Sequence, residues 1–491
     1  MHDWAKARLT EILSSQADQP AQLEQQLSEI WTHLERARIG LNSLTLHLPE
    51  DWATELGEQL WQDLGNSIRW LDELFRDGKE PPDDLMWPPL ATWLKEFDRW
   101  LSKPHTVKQS QQHLAPQEAL VQPFFDPIQQ RLRVLWLDQQ HFELRDLPED
   151  CALQTHWHRE ETNSVIANWA EILKALRNTN EIVPEAWEQV MASQPVNLFA
   201  DTLQHWAKAD SLQQLTVIFP APLGQLPWET LAALEPLLVR EVSLAHWLKQ
   251  RTASSKSDKP IWITYDPSGE KHGMIKESQW VAQHFNTTSE ATPSVFQALY
   301  HFANSRQIHL STHGEFYEHS PIRSYLSLGK GRRLPLWTLN AIQTPANFVL
   351  LSACESNLTG QNSEGLLTLT PIGIGPTILA AFARTVIGTL WVYNGVAALC
   401  FSDHFYQIAD KNPELPWHHI AAQARQQLRQ MSIVELDELQ KCLLEKLGED
   451  LCDDQIESRY HKAKLFESKQ PFEALYYWGG FIVAGEVRRE S

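Results

Sequence analysis

Cysteine is scarce in this chain: five residues in 491 (Cys151, Cys354, Cys400, Cys442 and Cys452), an odd and scattered set with no C-x-x-C pair. That pattern excludes a disulfide framework and a zinc site, and reduced thiols in a cytoplasm are the natural reading. No stretch approaches the ~20 apolar residues that span a bilayer, and M-H-D-W-A-K-A-R-L-T-E at the start has no apolar signal core. The expectation is a cytoplasmic protein with no membrane contact. Positive charge is also short, with 42 basic against 62 acidic side chains, a net charge of −20 and no long Lys/Arg run. Phosphate backbones would be repelled, so nucleic acid is not an expected partner and a protein or peptide is. G-x-x-x-x-G-K-[ST] is absent and Gly373-x-Gly375 lacks the rest of a dinucleotide fingerprint, so no cofactor is expected. His309 and His313 share one face of a strand, but no third ligand accompanies them, and no metal is expected.

What is present reads as globular: 43% hydrophobic and 21% charged residues. The length calls for two or three units. Residues 1–105 carry apolar side chains at three- and four-residue spacings between proline breaks and predict an all-helical N-terminal domain. Of 21 tryptophans, 13 precede residue 210. They read either as helix packing or as an aromatic groove for a partner. No tetratricopeptide-like period is visible. The polar, aperiodic stretch S-K-P-H-T-V-K-Q-S-Q-Q-H places a linker at 106–117.

Beyond it the texture alternates. Residues 118–210 contain a hairpin around the polar turn at 138–140 and helices near 163–178 and 195–209. Residues 211–491 add apolar runs at 215–219, 237–242, 261–265, 308–311, 348–351, 385–391 and 481–484, mostly separated by helical intervals. This is the rhythm of a mostly parallel α/β sheet flanked by helices, whose sites lie at the carboxyl ends of strands. Two ends stand out: I-H-L-S-T-H-G-E-F, closing on His313-Gly314, and F-V-L-L-S-A-C-E-S, closing on Cys354. An imidazole beside a thiol can take its proton and return it to a leaving amine. The backbone N–H groups of Gly314 and Cys354 could then form an oxyanion hole. On spacing alone, a buried structural thiol is the more ordinary reading of Cys354.

These two motifs resemble the His-Gly and Leu-Ser-Ala-Cys-Glu signatures of the CHAT family, the "caspase HetF associated with TPRs" cysteine proteases of the caspase and separase clan. L-T-V-I-F-P-A-P-L-G-Q-L-P-W-E-T-L (215–231), R-S-Y-L-S-L (323–328), A-R-T-V-I-G-T-L-W (383–391) and Y-Y-W-G-G-F-I-V-A-G (476–485) match in the family's order. Residues 373–391 look most like HetF and its close relatives, regulators of cell differentiation in photosynthetic bacteria. The resemblance, over 118–487, implies a caspase-like (caspase-hemoglobinase) fold and a cysteine endopeptidase acting on a protein substrate in bacterial regulation or defence. In it His313 would be general base and acid and Cys354 the nucleophile, and a protein partner would be needed for activation. It also places Asp266 and Ser352 where clan members read the P1 side chain, with Glu355 beside the nucleophile. Asp266 reads equally as a turn residue before Pro267, and Glu355 as a loop-orienting or a solvated acid. The chain departs from the family pattern at V-Y-N-G (392–395) and in the displacement of a glycine to Gly360. The rival reading is a catalytically silent CHAT-like scaffold that binds a protein partner through its helical half.

Overall fold

The computed structural model describes the chain from Val107 on, apart from residues 127–130, 149–150, 152–164, 180–183, 220, 236, 243–246, 249–250, 252–260, 267–271, 294, 317–323, 336–338, 340–343, 345, 358–372, 382, 393, 448–468 and 486–491. The expected N-terminal helical domain lies outside the described residues. The strands are β1 (Glu118–Asp126), β2 (Arg131–Leu137), β3 (Phe142–Asp146), β4 (Gln214–Val217), β5 (Leu238–Arg240), β6 (Ile261–Tyr265) and β7 (Glu290–Ala291). They continue with β8 (Gln307–Thr312), β9 (Gly314–Glu315), β10 (Tyr325–Gly329), β11 (Arg332–Pro335), β12 (Phe348–Ala353), β13 (Thr385–Thr389) and β14 (Phe481–Gly485). Among the described residues eleven of them form one sheet, in the order β3-β2-β1-β4-β5-β14-β13-β12-β8-β6-β7, and β11-β10-β9 form a small second one.

The large sheet has two internally parallel halves. β1, β4, β5 and β14 run one way, and β13, β12, β8, β6 and β7 run the other. They meet at the antiparallel β13–β14 pair, so the carboxyl ends of the two halves open on opposite edges. The expected largely parallel sheet is therefore present, with an antiparallel seam at its centre and an antiparallel hairpin, β2–β3, at one edge.

The helices used below are α1 (Val165–Thr179), α2 (Pro184–Met191), α3 (Gln194–Ala209), α4 (His272–His284), α5 (Val295–Asn304), α6 (Ile374–Ala380), α7 (Gly395–Lys411), α8 (Trp417–Gln430), α9 (Ile433–Leu447) and α10 (Leu475–Trp478). Side chains of α1, α2, α3, α4, α7 and α8 share the larger core, while those of α5 and α6 share a second core with the opposite pleat of β8 and β12. In β12 all six residues are buried: Phe348 and Leu350 enter the first core, and Val349, Leu351 and Ala353 the second. Burial on both faces is why this strand reads as an unbroken apolar run. Each such large apolar side chain contributes ~1.5–3 kcal/mol. β12 is thereby held rigidly where it ends.

Candidate functional site

β8 and β12 are parallel neighbours, with Ser311 opposite Ser352 and Thr312 opposite Ala353. The next positions in that register are His313 and Cys354. Both are half-buried, and Cys354 lies outside any disulfide. The residue after the histidine tightens the pairing, because a Cβ added at Gly314 would sit 2.3 Å from the Cys354 carbonyl oxygen. Only glycine lets the two strand ends approach this closely. The His313 carbonyl accepts from Ser327 N–H at 2.8 Å, and the Thr312 hydroxyl donates to the Ser327 carbonyl. β10 thus grips the chain on either side of the imidazole. With Ser327 bonded to His313, Gly314 and Leu326 form a non-hydrogen-bonded pair, so β10 does not take the Gly314 N–H.

The chain leaves β12 in a tight turn at 354–357. Glu355 has φ +55°, a left-handed conformation that costs on the order of 1 kcal/mol for a non-glycine residue and marks a backbone held by its surroundings. The holding bonds come mostly from the end of β13. Asn357 N–H donates to the Thr389 carbonyl at 2.8 Å, Thr389 N–H to Ser356 Oγ at 2.9 Å, and the Thr389 hydroxyl to the Ala353 carbonyl at 2.6 Å. Glu355 N–H donates to the Trp391 carbonyl at 3.3 Å. Gly375, at the start of α6, donates to the Ser356 carbonyl and has no room for a Cβ, which would meet Asn357 Oδ1.

Behind the turn stands an aromatic cluster. Trp391 packs edge-on against Trp187 of α2 and Trp169 of α1, with centroids 4.6 and 5.9 Å away, and its Nε1–H donates to the Tyr476 carbonyl at 3.0 Å. Trp169, Trp187 and Trp391 are packing residues, while the tryptophans of the N-terminal stretch lie outside the described residues. The Tyr476 hydroxyl is raised well above its ordinary range, first by burial and then by the nearby charge of a Cys354 thiolate. It therefore stays protonated. Tyr476 belongs to the Y-Y-W-G-G motif, but nothing in that string marked it as a neighbour of the thiol.

Under the strand ends lies a polar cluster that sequence reasoning missed. Glu277 of α4 accepts from the Ser352 hydroxyl at 2.7 Å and the Ser402 hydroxyl at 2.6 Å, and Ser311 beside them favours its ionised form. Burial raises its carboxyl to about 7 despite those bonds. His309 Nδ1 lies 2.9 Å from the Tyr406 hydroxyl and Nε2 lies 3.1 Å from Ser311 Oγ. Burial lowers His309 to about 3, so its 3.5 Å approach to Glu277 is no salt bridge at neutral pH. His309 is a packed, hydrogen-bonded strand histidine. Among the described residues no group of three or more His, Cys, Asp and Glu is placed to hold a metal ion.

The remaining sequence-selected residues gather at the same edge. Asp266 follows β6 directly, is 1% exposed, and donates its N–H to the Ser311 carbonyl at 3.2 Å. Glu355 is buried, which sets aside the solvated reading. The Ser352 hydroxyl is engaged by Glu277. Asn357 is buried, and the Asn394 side chain caps α7 by accepting from Val396 and Ala397 N–H. Residues 358–372 and Tyr393 lie outside the described residues. Among the described residues no helix is long and apolar enough to cross a membrane.

The chain is similar in structure to Saccharomyces cerevisiae separase from a separase–securin complex, at 12% identity and TM-score 0.45 over 83% of this chain and 36% of that one. A second structure of that complex matches at 11% identity and TM-score 0.43, over 96% and 38% of the two chains. The Arg-specific cysteine proteinase gingipain R, the Porphyromonas gingivalis RgpB protein, matches at 9% identity and TM-score 0.34, over 60% and 69%. The chain thus spans little more than a third of the separase chains. No curated protein matches it. The CHAT domain family model matches residues 189–486, more than half of the chain and all of the strands that build the site, so this chain belongs to the CHAT domain family.

Proposed function

We propose that the protein is a cysteine endopeptidase that hydrolyses a specific protein substrate through His313 and Cys354, in bacterial regulation or defence. The observation that carries this reading is the register of β8 and β12, which sets the half-buried imidazole and thiol at neighbouring strand ends with Gly314 against the Cys354 backbone. Cys354 Sγ attacks the scissile carbonyl carbon while its proton passes to His313. Backbone N–H groups of Gly314 and Cys354 receive the developing oxyanion. The C–N bond breaks as His313 returns the proton to the leaving amine, and water, deprotonated by the same imidazole, releases the acyl group from sulfur. Asp266, Ser352 and Glu355 are assigned to the recognition side of the cleft, where a carboxylate would favour a basic P1 side chain. Activation belongs to a protein partner that orders the substrate loops.

The test is incubation of wild-type protein and Cys354→Ala with a peptide library and a denatured proteome, alone and with candidate partners. Cleavage by wild type and a loss on the order of a thousandfold or more in the variant are expected. Equal absence of cleavage under every activating condition overturns the reading and leaves the scaffold.

A further inference from the structure

A buried carboxyl is destabilising unless other groups replace its water. Glu277, 2% exposed on α4, has that replacement from two hydroxyls that donate to it, Ser352 of β12 and Ser402 of α7, with Ser311 of β8 close enough to favour the charged form. Ser311 and Ser352 face each other in register, two residues before His313 and Cys354 and on the pleat those residues continue. A well-packed apolar trio would be at least as stable. What the polar arrangement adds is a single anchor shared by both strand ends.

We propose that Glu277 is a positioning residue: its carboxylate, bonded to Ser352 of β12 and facing the His309–Ser311 pair of β8, sets the spacing and tilt of His313 against Cys354. The use of that pair rests on the peptidase reading, but the tie itself does not. The hydrogen-bond directions are mutually consistent. Tyr406 O–H donates to His309 Nδ1 and His309 Nε2–H to Ser311 Oγ, which leaves the Ser311 proton free to turn toward Glu277, while Ser352 and Ser402 donate to that carboxylate. The groups around Glu277 are His309 from β8, Cys400 and Tyr406 from α7, and Lys276 beside it on α4. Asp403 of α7 turns to Trp280 and Gln407 instead. Burial keeps His309 neutral and holds Cys400 and Tyr406 well above their ordinary range. In this buried cluster the neutral-range charge change therefore belongs to Glu277. Protonated Glu277 resembles glutamine, whereas ionised Glu277 accepts from Ser352 and Ser402 and draws in the Ser311 hydroxyl.

The experiment is carboxamidomethylation by iodoacetamide, in which the Cys354 thiolate displaces iodide. It is followed by mass spectrometry from pH 5.5 to 9 on the full-length wild type, Glu277→Gln and Ser352→Ala. Half-buried Cys442 of α9 is the reference thiol in each molecule. The expected wild-type to Glu277→Gln rate ratio at Cys354 is near one at pH 5.5 and about tenfold above pH 8, on the scale of a lost supporting hydrogen bond. Ser352→Ala should shift in the same direction, Cys442 should not change, and the Glu277→Gln melting temperature at pH 8 should not fall. A ratio independent of pH, or Cys442 accelerating with Cys354, overturns the proposal. If Glu277→Gln does not fold, Ser352→Ala decides by the same readout. A wild type that shows this labelling profile but cleaves no peptide removes the peptidase reading and leaves the positioning role supported.

Discussion

At the carboxyl end of β5, in one half of the sheet, Arg240 is buried and tied on every side. It donates to both Glu229 oxygens, at 2.5 and 2.7 Å, and to the Leu226 and Gly224 carbonyls. At the carboxyl ends of β8 and β12, in the other half, His313 and Cys354 stay half-exposed and the saturated bonding has moved one layer back, to Glu277 and its serines. Both edges put polar groups where parallel strands stop. In the first half the strand-end group is itself the lock, and in the second the lock sits behind groups that solvent or substrate reaches. Reactivity at a strand end thus depends on where the compensating bonds are placed, not on polarity alone.

Substitutions that exchange those roles can break this comparison. The largest effect is expected for Arg240→Ala, which leaves Glu229 buried without its cation and should cost about 3–5 kcal/mol in denaturant unfolding. The labelling of Cys354 in the still-folded fraction should not change. Next is the pH dependence contributed by Glu277. Its folded-state value lies above the unfolded 4.5, so its stabilisation is complete below 4.5 and is lost as pH rises to about 7, an effect of about 3 kcal/mol. Stability of wild type minus Glu277→Gln, measured at pH 5 and pH 8, should fall by that order, and a difference that rises with pH would contradict the assignment. Gly314→Ala should cost about 2 kcal/mol in stability, because the strand ends must part to admit a methyl group. It should also slow Cys354 alkylation by about a hundredfold, the scale of an ångström-sized misplacement. Asn394→Ala removes the α7 cap and should cost about 1 kcal/mol with no change at the thiol.

The half of the sheet that holds β8 and β12 is readable in the sequence because its strands are buried on both faces. β6 was expected over its observed residues, and β8 and β12 within a residue or two of theirs. β1 was missed: Gln122 and Pro123 interrupt its apolar run, although it pairs with both β2 and β4. The eight-residue α2 offered too few turns for a clear period. The direction of β14 was not legible, since an apolar run carries no sign of whether its neighbour is parallel. His313 and Cys354 were legible as strand-end residues with chemistry to offer. Glu277 was not: within K-E-S-Q it looks like an ordinary helix-surface acid, and its partners Ser352 and Ser402 lie 75 and 125 residues away. Ser352, proposed for the recognition side of the cleft, also donates its hydroxyl to Glu277, a bond its sequence neighbours do not announce.

The seam strand also has a consequence in time. β14 is the most C-terminal of the described strands, yet it occupies the middle of the sheet, bonded to β13 on one side and β5 on the other. During synthesis at ~5–20 residues per second, the ribosome completes β8, β12 and β13 several seconds before the strand that joins them to the other half. Until β14 emerges, β13 has an open edge, and Tyr476, a few residues upstream of β14, has not yet closed behind the thiol. The nascent chain thus carries the Cys354 thiol in an unfinished frame, and its surroundings are completed only after nearly all of the described fold has been made.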